Sequence, residues 1–342
     1  MHFKKIKNIE IVKHESPIVI STWQSIYADL PQNTSLLSSM DCVLVDEAHV
    51  SRARSLQKIL SKSTNASVRL GFTGTLPIPK LEMWQIQGYL GPVLKEYTAS
   101  DLAKLGYVSH CTVHSISVKY ASRITGEYNE IKDAVFQNEY RLRLIKDILS
   151  QCDSNILVLV GKIEKEGHLL KEYLDANNDM GKEVVFIWGD TKTSERDHWR
   201  AELEKRKNII LIATYPIFSM GVNVPSLAYI ILASPFKSNV RVLQSVGRAL
   251  RIHADKIGGA HIYDIIDLVK FLNKHGDTRL RYFIREGFHI MDYSMVEGKD
   301  TTFLTNGNLC AMVPNKTVEA ENVKKEHNQS SNDEPVDEGS KV

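Results

Sequence analysis

The sequence predicts an α/β chain built from two doubly wound parallel-sheet units, and three observations carry that prediction. Short runs rich in Val and Ile recur along the chain, longer amphipathic stretches separate them, and most of the runs are apolar throughout instead of alternating. Unbroken apolarity belongs to strands buried on both faces, as in a parallel sheet covered by helices. Two clusters of such strands, each with helical stretches between, point to two such units.

In chain order the strand-like runs are Pro17–Thr22 (PIVIST), Cys42–Val45 (CVLV), Val68–Phe72 (VRLGF), Ile156–Val160 (ILVLV), Val184–Trp188 (VVFIW), Ile209–Ala213 (IILIA) and Tyr229–Ala233 (YIILA). Glu139–Leu149 and Glu164–Asp175 read as helices. Between Thr98 and Val135 lie an amphipathic piece (DLAKLGYV), a polar strand-like run (CTVHSISVKY) and a loop-prone SRITGEYNE, and a helix is expected to begin near Gln137. The expected organisation is a first unit over 1–98, a connecting segment over 99–136, a second unit over 137–300, and a tail over 301–342 rich in Asn, Glu, Lys and Ser that reads as mostly disordered.

At 342 residues the chain can hold two separate cores. No apolar run approaches the roughly 20 residues that span a bilayer, so no membrane partner is expected. The N-terminal MHFKKIKNIEIVKHES lacks an apolar stretch of secretory type. Cys42, Cys111, Cys152 and Cys310 form no C-x-x-C pair, which argues for reduced thiols in a cytoplasm (the host's, for a phage protein) and against zinc or disulfides. The net charge is +2, but Lys316–Val342 holds seven acidic residues against four lysines, leaving the body at about +5. That balance is compatible with a phosphate-backbone partner.

Two motifs carry chemistry. In VLVDEAH, Val43–His49, an apolar strand ends in adjacent acids. Asp46 at the strand end can hold a magnesium ion and Glu47 can orient an attacking water. In LQSVGRALR, the residues Gln244, Arg248 and Arg251 are spaced four and three apart and share one helical face, while Gly247 permits close approach. Two guanidiniums on one face suit a triphosphate, because each offers a planar fork of donors that stays ionised. Three features support these. GFTGTLP offers Thr73 and Thr75, whose hydroxyls could bond to the acids of the neighbouring strand. The strand at Ile209 ends in Thr214 and leads to a turn at Gly221 and Asn223. Leu157–Lys162 ends in a Gly161–Lys162 turn fit for a phosphate contact.

The order of these motifs resembles that of the superfamily 2 helicases, with DEAH as motif II, T-G-T as motif III, VISTWQS as motif Ib, and motifs IV, V and VI at Leu157–Lys162, Thr214–Asn223 and Gln244–Arg251. Within that superfamily the chain looks most like the phage UvsW-type recombination and fork-remodelling helicases, through ATYPIFSMGVNVPSL, LQSVGRALR and DIIDLVKFLNKHGDTRLRYFIREGF. The resemblance implies two RecA-like domains, ATP and Mg2+ as cofactors, and single-stranded or branched DNA or an RNA–DNA hybrid as partner. It implies that Asp46 holds magnesium, that Glu47 polarises water, and that Arg251 is the arginine finger, with Arg248 and Gln244 sensing the γ-phosphate. It gives His49, Thr73 and Thr75 the transmission of the hydrolysis state, gives Gly221 and Asn223 a place at the nucleotide, and gives Thr22, Lys162 and Thr214 contacts to the strand backbone. Asn223 departs from the Asp of many members, and T-G-T from S-A-T or T-A-T.

One part is missing. No G-x-x-x-x-G-K-[ST] occurs: Gly161–Lys162, Gly181–Lys182 and Gly298–Lys299 lack both the upstream glycine and the following hydroxyl. Such a loop cradles the phosphates with several charge-assisted bonds of about 1.5–3 kcal/mol each, so its loss weakens ATP binding by orders of magnitude. The first domain is therefore expected to be incomplete, lacking its central strand as well. Three explanations stand: a truncated reading frame, a split gene completed by a second polypeptide carrying the Walker A loop, or an autonomous product. The rival function is a non-hydrolysing module that binds or anneals nucleic acid.

Overall fold

A computed structural model describes residues 18–74, 76, 80–215, 224–235, 247, 250–253, 256 and 258–298. The chain divides into two compact units, Met1–Glu96 and Tyr97–Val342.

In the first unit, helices α1 (Trp23–Ala28) and α2 (Leu30–Ser38) precede strand β1 (Cys42–Asp46), a 3-10 turn over Ala48–Arg52, helix α3 (Arg54–Lys62), strand β2 (Val68–Phe72) and helix α4 (Lys80–Leu90). Strands β1 and β2 pair in parallel, Cys42 with Val68 through Asp46 with Phe72. Their core is small: Leu37, Val45, Ala48, Leu56, Ile59 and Leu60. Two expectations are corrected here. Full burial of the strands fails for this pair, because Leu44 and Phe72 are 63% and 57% exposed and no third strand joins them among the described residues. The run expected as a strand at Pro17–Thr22 is not one over Ile18–Thr22, where Thr22 instead caps α1 by accepting the Ser25 N–H at 3.3 Å. Apolar and β-branched residues make a strand only where a neighbour supplies the ladder of hydrogen bonds.

The second unit holds helix α5 (Ala99–Lys104), strand β3 (Cys111–Lys119), helices α6 (Tyr128–Gln137) and α7 (Glu139–Gln151), strand β4 (Ile156–Val160), a π-helical turn over Ile163–His168, helix α8 (Leu169–Ala176), strand β5 (Glu183–Ile187), helix α9 (Thr193–Lys205), strands β6 (Ile209–Thr214), β7 (Tyr229–Leu232) and β8 (Ala260–Asp267), helix α10 (Leu272–Arg285) and strand β9 (His289–Val296). Seven strands form one sheet in the order β5-β6-β4-β7-β8-β3-β9, every pair parallel. Its centre is buried on both faces as the apolar runs require. Ile156, Val158 and Val160 of β4 pack with Ile131, Leu144, Ile148, Leu170 and Leu174, while Leu157 and Leu159 pack with Leu203, Leu211, Leu232 and Phe283. The polar run at Cys111–Lys119 is an interior strand, flanked by β8 and β9. Strands β8 and β9 are additions to the sequence reading, and a helix begins at Tyr128, earlier than Gln137. The helix expected over Glu164–Asp175 is split by the π turn. The tail from 301 lies outside the described residues.

Two charge pairs are fully buried against this sheet. Arg141 Nε donates to Asp267 Oδ1 at 2.9 Å, and Tyr120 Oη donates to the same oxygen at 2.5 Å. Arg279 Nε donates to Asp264 Oδ1 at 2.8 Å. All four charged side chains are at most 1% exposed. No helix of the described residues is long and apolar enough to cross a membrane.

Candidate functional site

In the first unit the parallel register puts Asp46 beside Phe72, so the residues after each strand, Glu47 and Thr73, emerge side by side. The Glu47 N–H donates to Asp46 Oδ1 at 2.8 Å, which fixes the carboxylate at the strand end. Glu47 itself sits in the left-handed region (φ 50°, ψ 49°) as the chain turns from β1 into the 3-10 turn. A non-glycine residue held there stores backbone strain, a condition that recurs at functional sites. His49 Nδ1 lies 3.0 Å from Thr73 Oγ1 and 3.3 Å from Glu47 Oε2. A Thr73–His49–Glu47 relay therefore joins the two strand ends. Thr73 meets the acid pair through the histidine, not by the direct hydroxyl–acid bond expected from the sequence. Thr75 lies outside the described residues.

Gly71 explains the closeness of the two motifs. A Cβ there would fall 2.7 Å from the Cβ of Ala48 and 2.7 Å from Cδ1 of Leu90. The glycine of GFTGT and the alanine of DEAH are thus two sides of one van der Waals contact.

In the second unit, a parallel sheet presents all its strand C-termini at one edge, where ligands of α/β proteins gather. Lys162 follows β4 and Thr214 ends the adjacent β6, whose register partner is Val160, so these two residues come together at that edge. Lys162 Nζ donates to Asp133 Oδ1 at 2.9 Å, and Lys165 Nζ donates to Oδ2 of the same acid at 2.5 Å. Burial acts to raise the Asp133 pKa, but the bonds from Lys165 and Lys162 outweigh it and hold the carboxyl below its ordinary value. The Gly161 N–H donates to Glu166 Oε2 at 2.6 Å, and Glu166 pairs with Lys132 at 2.6 Å, both side chains buried. A Cβ at Gly161 would fall 2.7 Å from Ser234 Oγ. Asp133, Glu166 and Lys132 were missed from the sequence; the acid four residues after Lys162 was the available signal.

Arg251 is exposed, and its carbonyl accepts from Lys256 Nζ at 2.8 Å and from Ser109 Oγ at 3.4 Å. Burial pushes the Lys256 ammonium down to about 8. A Cβ built on Gly247 meets open space, so no described neighbour requires that glycine. Gly221, Asn223, Gln244 and Arg248 lie outside the described residues, and Thr22, the helix cap, belongs to the first unit.

The comparisons with known proteins fit this geometry. Residues 140–253 match the family "Helicase conserved C-terminal domain", and residues 2–78 match "Type III restriction enzyme, res subunit". The ATP-dependent DNA helicase uvsW of Enterobacteria phage T4 is 28% identical over 281 residues, 79% of this chain and 54% of that protein. The helicase/translocase subunit XPB of general transcription and DNA repair factor IIH from Dictyostelium discoideum is 23% identical over 266 residues, 75% of this chain and 32% of that protein. The chain thus spans about half or less of the length of these relatives. Among solved structures, the ATP-dependent Type ISP restriction-modification enzyme LlaBIII bound to DNA shares the fold, with a TM-score of 0.57 at 15% identity over 83% of this chain and 24% of that one.

A parallel α/β unit of this topology, with a DEAH strand end in the unit before it, has the RecA-like fold of these helicase and restriction-enzyme relatives. More particularly, its two matched segments resemble those of helicases of superfamily 2.

Proposed function

We propose that this chain is the motor part of an ATP-dependent helicase or translocase acting on nucleic acid, with branched DNA or RNA–DNA hybrids as its substrates. The observation that carries the reading is the Thr73–His49–Glu47 relay at two adjacent strand ends, because it ties motif II to motif III through named atoms.

ATP with Mg2+ fits the residues present. Magnesium is held by one or two carboxylates plus waters and nucleotide phosphates, not by an all-protein cage. Asp46 offers one such carboxylate, and no cluster of three or more metal-ligating side chains occurs among the described residues. The ion, when bound, neutralises charge on the phosphates. Asp46 would hold it, and Glu47, steered by His49, orients the attacking water. Arg248 and Arg251 act on the γ-phosphate, with Gln244 beside them and Gly221 and Asn223 at the nucleotide. Thr73 and Thr75 pass the change of state on through His49. Lys162 and Thr214, with Thr22 on the first unit, touch the phosphate backbone, so little sequence specificity follows.

Hydrolysis in this reading depends on a phosphate-gripping loop supplied upstream or in trans. The test is ATPase activity, with and without single-stranded DNA, of a protein extended upstream to carry such a loop. Glu47→Gln should lower its kcat by about 10²–10⁴-fold while leaving DNA binding intact. An extended protein that hydrolyses no ATP sinks the proposal. The rival reading is a binding or annealing module. Salt-dependent DNA binding indifferent to ATP and to Glu47→Gln would favour that one.

A further inference from the structure

The strand-terminal edge of the second sheet carries a feature that none of the helicase motifs uses. A cleft of about 470 Å³ opens where β3 and β8 end, lined by Lys119 through Gly126 and by Leu268, Val269 and Lys270. Three cations line it, Lys119, Arg123 and Lys270, and no acidic side chain does. All three are exposed, and neither Lys119 nor Arg123 makes an ion pair with a described residue. The acids beside the lining are engaged elsewhere: Asp267 is paired with Arg141 and Tyr120, and the Glu297 carboxylate accepts the Ala121 N–H at 2.8 Å and an Asn138 Nδ2–H at 3.1 Å.

Next to Lys270 the chain is aromatic and strained. Phe271 is one of two non-glycine residues with positive φ among those described (φ 70°, ψ −45°), a conformation that stores backbone strain. There its ring lies 4.7 Å from Lys270 Nζ and edge-on to Tyr128 at 6.2 Å, with Tyr128 in turn 5.8 Å from the His275 ring. Cations spaced over two chain segments, beside an exposed Tyr128 ring and a half-buried Phe271 ring, match a single strand, whose phosphates and base faces alternate. Three cations spread over two chain segments suit an extended strand better than one small anion.

We propose that this cleft binds the phosphate backbone of single-stranded nucleic acid, as a second contact beyond Lys162 and Thr214. It rests on the reading of the chain as a nucleic-acid motor. Lys119, Arg123 and Lys270 each take a phosphate, and the Phe271–Tyr128 edge takes a base.

The test is fluorescence anisotropy of a labelled dT20 strand against the full chain over a range of salt concentrations. Each lost phosphate contact on a single strand lowers the salt slope by about 0.7. The Lys119→Ala/Arg123→Ala/Lys270→Ala variant should therefore lower it by roughly 2 and weaken binding at low salt by more than tenfold. A control variant, Lys171→Ala/Lys192→Ala/Lys205→Ala, removes equal charge from exposed or half-buried helical and loop positions of the same unit and should leave the slope unchanged. Equal loss in both variants, or none in the first, overturns the proposal. So does displacement of dT20 by ATP or inorganic phosphate in the wild type but not in the cleft variant, which would make the cleft a small-anion site. Failure of the underlying reading looks different: the wild type itself would bind no strand. If Lys162→Ala weakens binding and the cleft variant does not, only this proposal falls. Melting temperatures of both triple variants should match the wild type, since every altered side chain is at the surface or half-buried.

Discussion

The strained conformation of Glu47 allows chemistry and stability to be separated at one residue. Two substitutions serve. Glu47→Gln keeps the Cβ and the left-handed backbone but removes the charge, and with it the contact of a half-exposed carboxylate with His49. Such a pair is worth about 0–1 kcal/mol. Glu47→Gly loses the same contact but also relieves the strain. A left-handed residue other than glycine costs about 1–2 kcal/mol. Glycine in turn loses about 0.5–1 kcal/mol of extra chain entropy on folding. The difference between the two variants isolates the backbone, and the balance favours Glu47→Gly by on the order of 0.5–1 kcal/mol. For a unit the size of Met1–Glu96 that corresponds to a rise in Tm of roughly 2–8 °C over Glu47→Gln, followed by circular dichroism on the full chain. Both variants should lower the kcat of a protein supplied with a phosphate loop by about 10²–10⁴-fold. The reasoning is refuted if Glu47→Gly melts no higher than Glu47→Gln, because the left-handed turn would then carry no strain.

Three further outcomes follow from the packing. Gly71→Ala should cost about 1–3 kcal/mol by urea titration, since its Cβ would fall 2.7 Å from both Ala48 and Leu90. Arg141→Met should cost about 3–5 kcal/mol by leaving Asp267 buried without its cation, and adding Asp267→Leu should restore most of that loss. The third outcome concerns acid. His114 lies 3.2 Å from His261 and 3.1 Å from Tyr293 Oη, and it is pushed down to about 3 by burial and by His261 and His289. His261 is also held low by burial. The unfolded chain takes up these protons near pH 6.5 and the folded chain does not, so their contribution is complete above that pH and is lost as pH falls toward 3. His114 alone removes about 1.4 kcal/mol per pH unit below 6.5, roughly 2 kcal/mol at pH 5. Urea midpoints between pH 7.5 and 5 should show this fall, and His114→Gln should flatten it.

How legible each element was depended on where its information lies. Strands β4, β6 and β7 could be read because their own residues are apolar at every position, and burial on both faces demands nothing else. Strand β3 reads as polar, with His114, Ser115 and Ser117 in its middle. It is interior because neighbouring strands offer partners to those side chains, Tyr293 and His261 for His114. Strand β9 was missed for a similar reason, since Asp292 and Ser294 interrupt its apolar run. PIVIST shows the reverse: a strong local preference with no ladder to join.

By itself the sequence determined the chemical alphabet of the site: acids at a strand end, hydroxyls at the next, a Gly–Lys turn and arginines at helical spacing. Those are local patterns, set by side-chain type and by the period of one element. Only the tertiary structure decided their partners. It gave Thr73 to His49 and Glu47, Lys162 to Asp133, and the Gly161 N–H to Glu166. It also gathered Lys119, Arg123 and Lys270 around one cleft. The physical reason is the parallel sheet, which brings residues far apart in the chain to one edge, at a register set by packing across strands.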